Sequence, residues 1–127
     1  MKTRLLAVGI AIVLAALALT AAALARHSST RAETLVGTVG PGYTIGLQKN
    51  GKKLVRLQAG KYTFVLHDKS SIHGWSLDGP KGFAKDLTPV PFIGTKTVTL
   101  NLKAGKYKFY CPSHETLMFG HFSAVED

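Results

Sequence analysis

The sequence predicts an all-β protein, an eight-stranded Greek-key β-sandwich preceded by an N-terminal apolar segment. From Thr34 onward the apolar residues show no helical period. They occur instead in short alternating or β-branched runs that Gly, Asn and Pro separate. The Asn50-Gly51 pair indicates a tight hairpin, because both central positions of a type I′ turn need positive φ. Eight short strands in about 95 residues fit two packed sheets.

Two stretches are predicted from the turn residues in or beside them. Leu54–Leu57 is predicted as the return strand of the Asn50-Gly51 hairpin. Residues 79–94, which contain several Gly and Pro, are predicted to be a surface crossover rather than a strand. The other predicted strands outside the repeat described next are Leu35–Val39, Tyr43–Gln48, a short strand through Leu77, Thr95–Leu102 and Phe119–Val125.

One sequence frame, Leu-x-Ala-Gly-Lys-Tyr-x-Phe, occurs twice, in Leu57–Leu66 and again in Leu102–Cys111. Each copy is predicted to form a strand, a tight Gly turn and a second strand. Side chains alternate between the two faces of a strand, and the lysines of the second copy prefer water. This alternation places Cys111 on the core face. In the first copy the same rule turns His67 outward.

Residues 1–25 are predicted to be a signal peptide or an N-terminal membrane anchor. Two basic residues precede the apolar run Leu5–Leu24, and Ala23-Leu24-Ala25 is a cleavage pattern. The pattern favours cleavage, although roughly 20 apolar residues can also span a bilayer. Residues 26–33 are predicted as a linker and residues 34–127 as the domain. Export to the periplasm, the cell envelope or the extracellular space follows from this segment.

The chain has a formal net charge of +9. This charge favours an acidic partner protein or an anionic envelope surface, and the alternative is a surface charge that only keeps the domain soluble. Export and scattered rather than clustered lysines argue against nucleic acid. We therefore expect a monomer without nucleic acid, which touches a membrane only if the N-terminal segment is retained.

Cys111 is the only cysteine of the chain, so it forms no internal disulfide. It can be a buried core residue, an intermolecular bridge, a nucleophile or a metal ligand. His114 and Met118 follow on the same short loop. One further His would complete a two-His, one-Cys set with a weak axial Met, the arrangement that suits blue copper. His73 is the best candidate, and its alternative role is a loop His paired with Asp68.

The motifs around these residues resemble those of the cupredoxins, the plastocyanin and azurin family of small blue copper proteins. The resemblance covers about residues 34–125. Its marks are Val-Leu-His-Asp-Lys-Ser-Ser-Ile-His73, Leu77-Asp-Gly-Pro80, Ala104-Gly-Lys-Tyr107 and Tyr110-Cys111-x-x-His114-x-x-x-Met118-x-Gly120-x-Phe122.

The resemblance implies one copper ion that cycles between Cu(I) and Cu(II). It implies that His73, Cys111 and His114 are equatorial ligands and that Met118 is the axial ligand. The implied activity is one-electron transfer to and from a redox partner protein, without a catalytic residue. Thiolate and thioether favour the reduced ion while imidazole accepts either state, so such a set serves both.

The sequence departs from the family pattern at two positions beside the predicted ligands. Many members have Asn directly after the first His, where its side chain braces the ligand loop, and this chain has Gly74. Pro112 follows the Cys and cannot donate a backbone hydrogen bond. Both changes predict weaker support around the metal. Pro112 is also expected to form, with Leu117 and Phe119, an apolar collar around His114 for brief docking of a partner.

Other functions remain open from the residues. An envelope copper-delivery protein would use the same ligands without a redox role, and a metal-free interaction module would use only the fold. An oxidase needs a second copper centre, for which the chain has no His-x-His pair. A cysteine nucleophile needs a carboxylate to orient its His, and Glu115 is expected to point away from His114.

Overall fold

Two mixed five-stranded sheets form a β-sandwich in the computed structural model, which describes residues 31–127. Within that range Ala32–Asp127 is one compact unit. The strand order is β3-β2-β1-β5-β8 in the first sheet and β4-β10-β9-β6-β7 in the second. The strands are β1 Glu33–Val39, β2 Ile45–Lys49, β3 Lys52–Lys53, β4 Arg56–Gln58, β5 Gly60–Asp68, β6 Trp75–Asp78, β7 Ala84–Thr88, β8 Gly94–Leu102, β9 Gly105–Tyr110 and β10 Phe119–Val125.

The segments predicted at residues 1–25, and the linker up to residue 30, lie outside the described range. Within residues 31–127 no helix is long and apolar enough to cross a bilayer. The only helical turns there are the 3₁₀ segments Pro80–Gly82 and Pro112–His114.

The predicted β-sandwich is confirmed, with ten strands in the described range instead of eight. Asn50 and Gly51 form the expected turn, with φ of 52° and 75°. The return strand, however, is Lys52–Lys53 and not the predicted Leu54–Leu57. Leu54 and Leu57 are both buried. The Leu54 N–H still donates to the Leu47 carbonyl of β2 at 3.0 Å, after which the chain leaves the first sheet, and β4 pairs in parallel with β10 of the second sheet.

The prediction of a strandless crossover over residues 79–94 is wrong. Ala84–Thr88 forms β7, which pairs antiparallel with β6 at the edge of the second sheet. Ala, Lys and Asp rarely favour strands, so the local sequence gives little sign of it. Pairing with β6 and the burial of Leu87 and Thr88 hold this segment in the sheet.

The alternation predicted for the repeated frame is confirmed, because its inward residues are all buried. These are Tyr62, Phe64, Leu66, Tyr107, Phe109 and Cys111. The Tyr62 hydroxyl donates to the Gln58 carbonyl at 2.6 Å, and the Tyr107 hydroxyl donates to the Lys103 carbonyl at 2.8 Å. Burial raises the pKa of both tyrosines. Both copies of the repeated frame therefore contain the same hydrogen bond, from a Tyr hydroxyl to the carbonyl four residues earlier.

One end of the sandwich gathers four connecting loops, at residues 40–44, 69–74, 89–93 and 111–118. The register explains this arrangement. Strands β1 and β5 run in parallel and finish together, β8 starts opposite the end of β5, and the start of β6 lies beside the ends of β7 and β9. We call this the loop end, and it carries every predicted ligand.

Candidate metal centre

The loop between β9 and β10 is closed by its own backbone. The Cys111 N–H donates to the Met118 carbonyl at 3.0 Å, and the Met118 N–H donates to the His114 carbonyl at 2.8 Å. The His114 N–H in turn donates to the Cys111 carbonyl at 3.0 Å. Three of the predicted ligand residues are thus fixed relative to one another before any metal is considered.

Pro112 opens the 3₁₀ turn Pro112–His114 of this loop. The first N–H of such a turn has no partner within it, and the fixed φ of proline suits this position. The missing donor of Pro112 therefore does not weaken the turn itself.

His73 comes to the same place from the loop at residues 69–74, and it is only 1% exposed. This loop is held at its start, where Asp68 Oδ1 accepts the Ser70 N–H at 3.1 Å. The Lys69 N–H donates to the Val39 carbonyl of β1 at 2.9 Å. Asp68 thus supports the loop through Ser70 and makes no hydrogen bond with His73 among the described residues.

Gly74 lies where the family pattern has Asn, and direct packing takes the place of that side chain. A Cβ atom added to Gly74 would be 2.6 Å from the Thr88 carbonyl oxygen and 3.5 Å from Pro112 Cδ. The Trp75 N–H donates to the buried Thr88 hydroxyl at 3.0 Å. The end of β7, which the sequence did not predict, therefore supports the loop of His73.

The side chains of His73, Cys111 and His114 converge on one point. The two Nδ1 atoms are 3.1 Å apart, and Cys111 Sγ lies 3.7 Å from His73 Nδ1 and 3.8 Å from His114 Nδ1. The point equidistant from the three atoms is about 2.1 Å from each, which is a metal–nitrogen bond length and slightly short of a metal–sulfur one. Two imidazoles and a thiolate in a trigonal set fit one copper ion.

The fourth predicted ligand, Met118, is buried at 1% exposure directly before β10. Its backbone bonds to Cys111 and His114 hold it in the ligand loop. Its role as an axial ligand stays a prediction.

Tyr43 is a neighbour of the cluster that the sequence did not reveal. Its ring meets the His73 ring edge-on at 5.2 Å between centroids and the His114 ring at 5.1 Å. The two imidazoles lie 4.8 Å apart and are also edge-to-face. Tyr43 was predicted to begin a strand, but it belongs to the loop before β2. A Gly-Pro-Gly stretch before an aromatic residue signals an exposed turn, yet nothing local shows what that turn covers.

Solved structures of rusticyanin match the chain. An NMR structure of reduced rusticyanin is 24% identical, with a TM-score of 0.49 and coverage of 73% of this chain and 76% of that chain. A crystal structure of a rusticyanin variant is 22% identical, with a TM-score of 0.47 and coverage of 72% and 76%. Rusticyanin from Thiobacillus ferrooxidans is 23% identical, with a TM-score of 0.43 and coverage of 72% and 75%. No family model and no curated protein matches the chain.

Rusticyanin is a cupredoxin. At TM-scores below 0.5 these matches carry no argument about this chain, whose fold and site chemistry rest on its own strands and residues. The resemblance to the cupredoxins rests on the sequence motifs, and three residues of those motifs come together in the structure. Among the described residues the cluster of possible metal ligands is His73, Cys111 and His114.

The three residues of the predicted collar lie in two different places. Pro112 and Leu117 are exposed on the ligand loop, Leu117 at 63%. Phe119 is 47% exposed and stands on the outer face of β10, where its ring is 5.6 Å from that of His121. Lys108 Nζ lies 5.4 Å from the same Phe119 ring.

Tyr110, the residue before Cys111, forms its side-chain hydrogen bond with a residue outside the cluster. Its hydroxyl donates to Asp78 Oδ1 at 3.1 Å. Burial, and secondly the hydrogen bond to Asp78, raises the pKa of Tyr110 to about 12. The neutral phenol is therefore the form that the fold prefers.

An alkaline titration tests this environment. The pKa of Tyr110 is raised above the value of about 10 for an unfolded tyrosine, so its contribution to stability is complete below pH 10 and disappears as the pH rises through about 12. Tyr110→Phe should remove the phenolate absorbance step near pH 12 and flatten the fall in unfolding free energy over this range. Tyr43→Phe is the control and should leave that step in place. An unchanged step in Tyr110→Phe would contradict the assignment.

Proposed function

We propose that the chain is an exported type 1 copper protein that carries single electrons. In this proposal His73, Cys111 and His114 would hold the copper ion, and Met118 would be its weaker fourth ligand. The trigonal convergence of two Nδ1 atoms and one Sγ on a point about 2.1 Å from each carries the proposal. The apolar run Leu5–Leu24 supports export.

The residues contribute a donor set that need not move when the charge of the ion changes. Copper bound there would supply a one-electron couple. His73 and Cys111 are buried on loops anchored by backbone hydrogen bonds, so water is excluded and the donors are held apart from solvent. His114 is partly exposed, so its side chain is the ligand that a partner protein would approach.

We place partner docking at the loop end, around the exposed edge of His114. Leu117 and Pro112 are exposed there, and so are Tyr43 at 58% and Ile72 at 57%. Exposed apolar residues around a partly exposed His suit a short-lived contact. The net charge of +9 supports an acidic redox partner.

An enzymatic role has little support from the side chains near Cys111. The Glu115 carboxylate accepts from Lys108 Nζ at 3.0 Å, so it is engaged on the outer surface. Among the described residues the donor cluster contains no carboxylate that could orient His114. We therefore propose a carrier and not a nucleophilic enzyme.

Copper titration of the full-length protein tests the proposal. One equivalent of Cu(II) should give intense visible absorption from thiolate-to-copper charge transfer, which stopped-flow mixing with a reductant should bleach reversibly. Stoichiometric copper binding without this absorption would contradict the proposal. Rapid loss of copper to an acceptor, with no reversible reduction, would favour the copper-delivery function instead.

A further inference from the structure

Tyr43 closes the metal cluster from outside. Its ring touches both imidazoles edge-on, at 5.2 and 5.1 Å between centroids, while 58% of the residue faces solvent. The three rings therefore form a mutual edge-to-face group, since His73 and His114 have the same relation at 4.8 Å. Such aromatic pairs have a preferred geometry and contribute beyond the area they bury.

The loop that carries Tyr43 is itself held in place. The Gly40 N–H donates to the Thr44 carbonyl at 2.8 Å, and the Thr44 hydroxyl donates to the Pro41 carbonyl at 2.9 Å. A Cβ atom on Gly40 would be only 3.0 Å from Ser70 Cβ, so this loop packs directly on the loop of His73. The Tyr43 ring is thus presented to the imidazoles by a fixed support.

The three donors differ in their access to solvent. Cys111 is 0% exposed and His73 is 1% exposed, whereas His114 is partly exposed on a turn at the surface. Of the three, His114 is the donor whose side chain can rotate away from the cluster without opening the core. The Tyr43 ring lies against His114 and restricts that rotation.

We propose that Tyr43 is a positioning residue that slows metal release by holding His114 in the donor plane. This inference rests on the proposed copper site. It also gives a physical reason why the chain would retain its metal as an electron carrier does. The ring of Tyr43, rather than its hydroxyl, makes the contacts, so phenylalanine should replace it and alanine should not.

The test measures transfer of Cu(I) from the loaded full-length protein to an excess of a chromogenic chelator. Tyr43→Ala should release copper about two- to tenfold faster than wild type, the range expected from loss of one aromatic pair. Tyr43→Phe should release it at the wild-type rate. The matched control is Ile93→Ala, which removes an apolar residue of similar exposure, 62%, from another loop of the same end.

The metal-free Tyr43→Ala protein should still unfold cooperatively in urea, with the wild-type m value and a midpoint only slightly below that of wild type, which separates positioning from a general loss of structure. Equal release rates for Tyr43→Ala and wild type would overturn the inference. The inference would also be overturned if Ile93→Ala released copper as fast as Tyr43→Ala. The same holds if Tyr43→Phe released copper as fast as Tyr43→Ala.

A wild-type protein that binds no copper would contradict the proposed function, and the metal-free protein then decides the role of Tyr43. Tyr43→Ala should shift the ring NMR signals of His114 and leave those of His121, which packs on Phe119, unchanged. Unshifted His114 signals would overturn the inference independently of copper.

Discussion

Cys111→Ser is expected to abolish the visible absorption of the copper-loaded protein. The absorption requires a thiolate donor, and Cys111 is the only cysteine of the chain. A serine oxygen is a harder donor and provides no sulfur-to-copper charge transfer. The side chain is 0% exposed, so a buried hydroxyl should also lower the free energy of unfolding by about 1–3 kcal/mol. Absorption spectra of the copper-loaded variant check the first effect, and urea unfolding of the metal-free variant checks the second.

Two further variants isolate the role of the thiolate. Cys111→Ala buries no hydroxyl, and it should lose the colour as completely as Cys111→Ser. His67→Ala removes a histidine that lies outside the cluster and bonds Thr95 at 3.0 Å, so it should keep the colour. Intense absorption in either Cys111 variant, or its loss in His67→Ala, would contradict the assignment of the donor set.

Gly74→Ala is expected to damage both the fold and the site. Its Cβ would be 2.6 Å from the Thr88 carbonyl oxygen, a backbone atom that cannot simply rotate away. Forcing an extra group into packed structure costs about 1–3 kcal/mol of unfolding free energy. Gly74 follows His73 directly, so the displacement should also raise the copper dissociation constant, by about tenfold if 1.4 kcal/mol reaches the site. Urea unfolding and copper titration measure the two effects.

Gly46→Ala is the matched control for this substitution. A Cβ atom on Gly46 meets Thr38 Oγ1 at 3.5 Å, an ordinary contact, so the variant should bind copper as wild type does. If Gly74→Ala behaved like Gly46→Ala in both measurements, the close approach of Thr88 would not be what supports the His73 loop.

Local pattern was enough to predict the parts of this protein that depend on alternation. Lysines and aromatics in alternate positions of the repeated frame place Cys111 inward and His67 outward, and both are found so. Turn chemistry likewise predicted the Asn50-Gly51 hairpin, since its two positive φ values are a property of those two residues. Prediction from local pattern failed at Leu54–Leu57 and at Ala84–Thr88, because pairing with other strands decides the structure there.

The donor types in the cluster follow from the sequence alone: one cysteine, with His114 on the loop behind it, because a ligand's chemistry is a property of its residue. Their relative positions come from contacts between strands that are distant in the chain. The parallel pairing of β1 with β5 brings His73 and Tyr43 to the same end, and the end of β7 fills the space beside Gly74. These contacts join segments far apart in the chain, and their free energy depends on packing that no local pattern records.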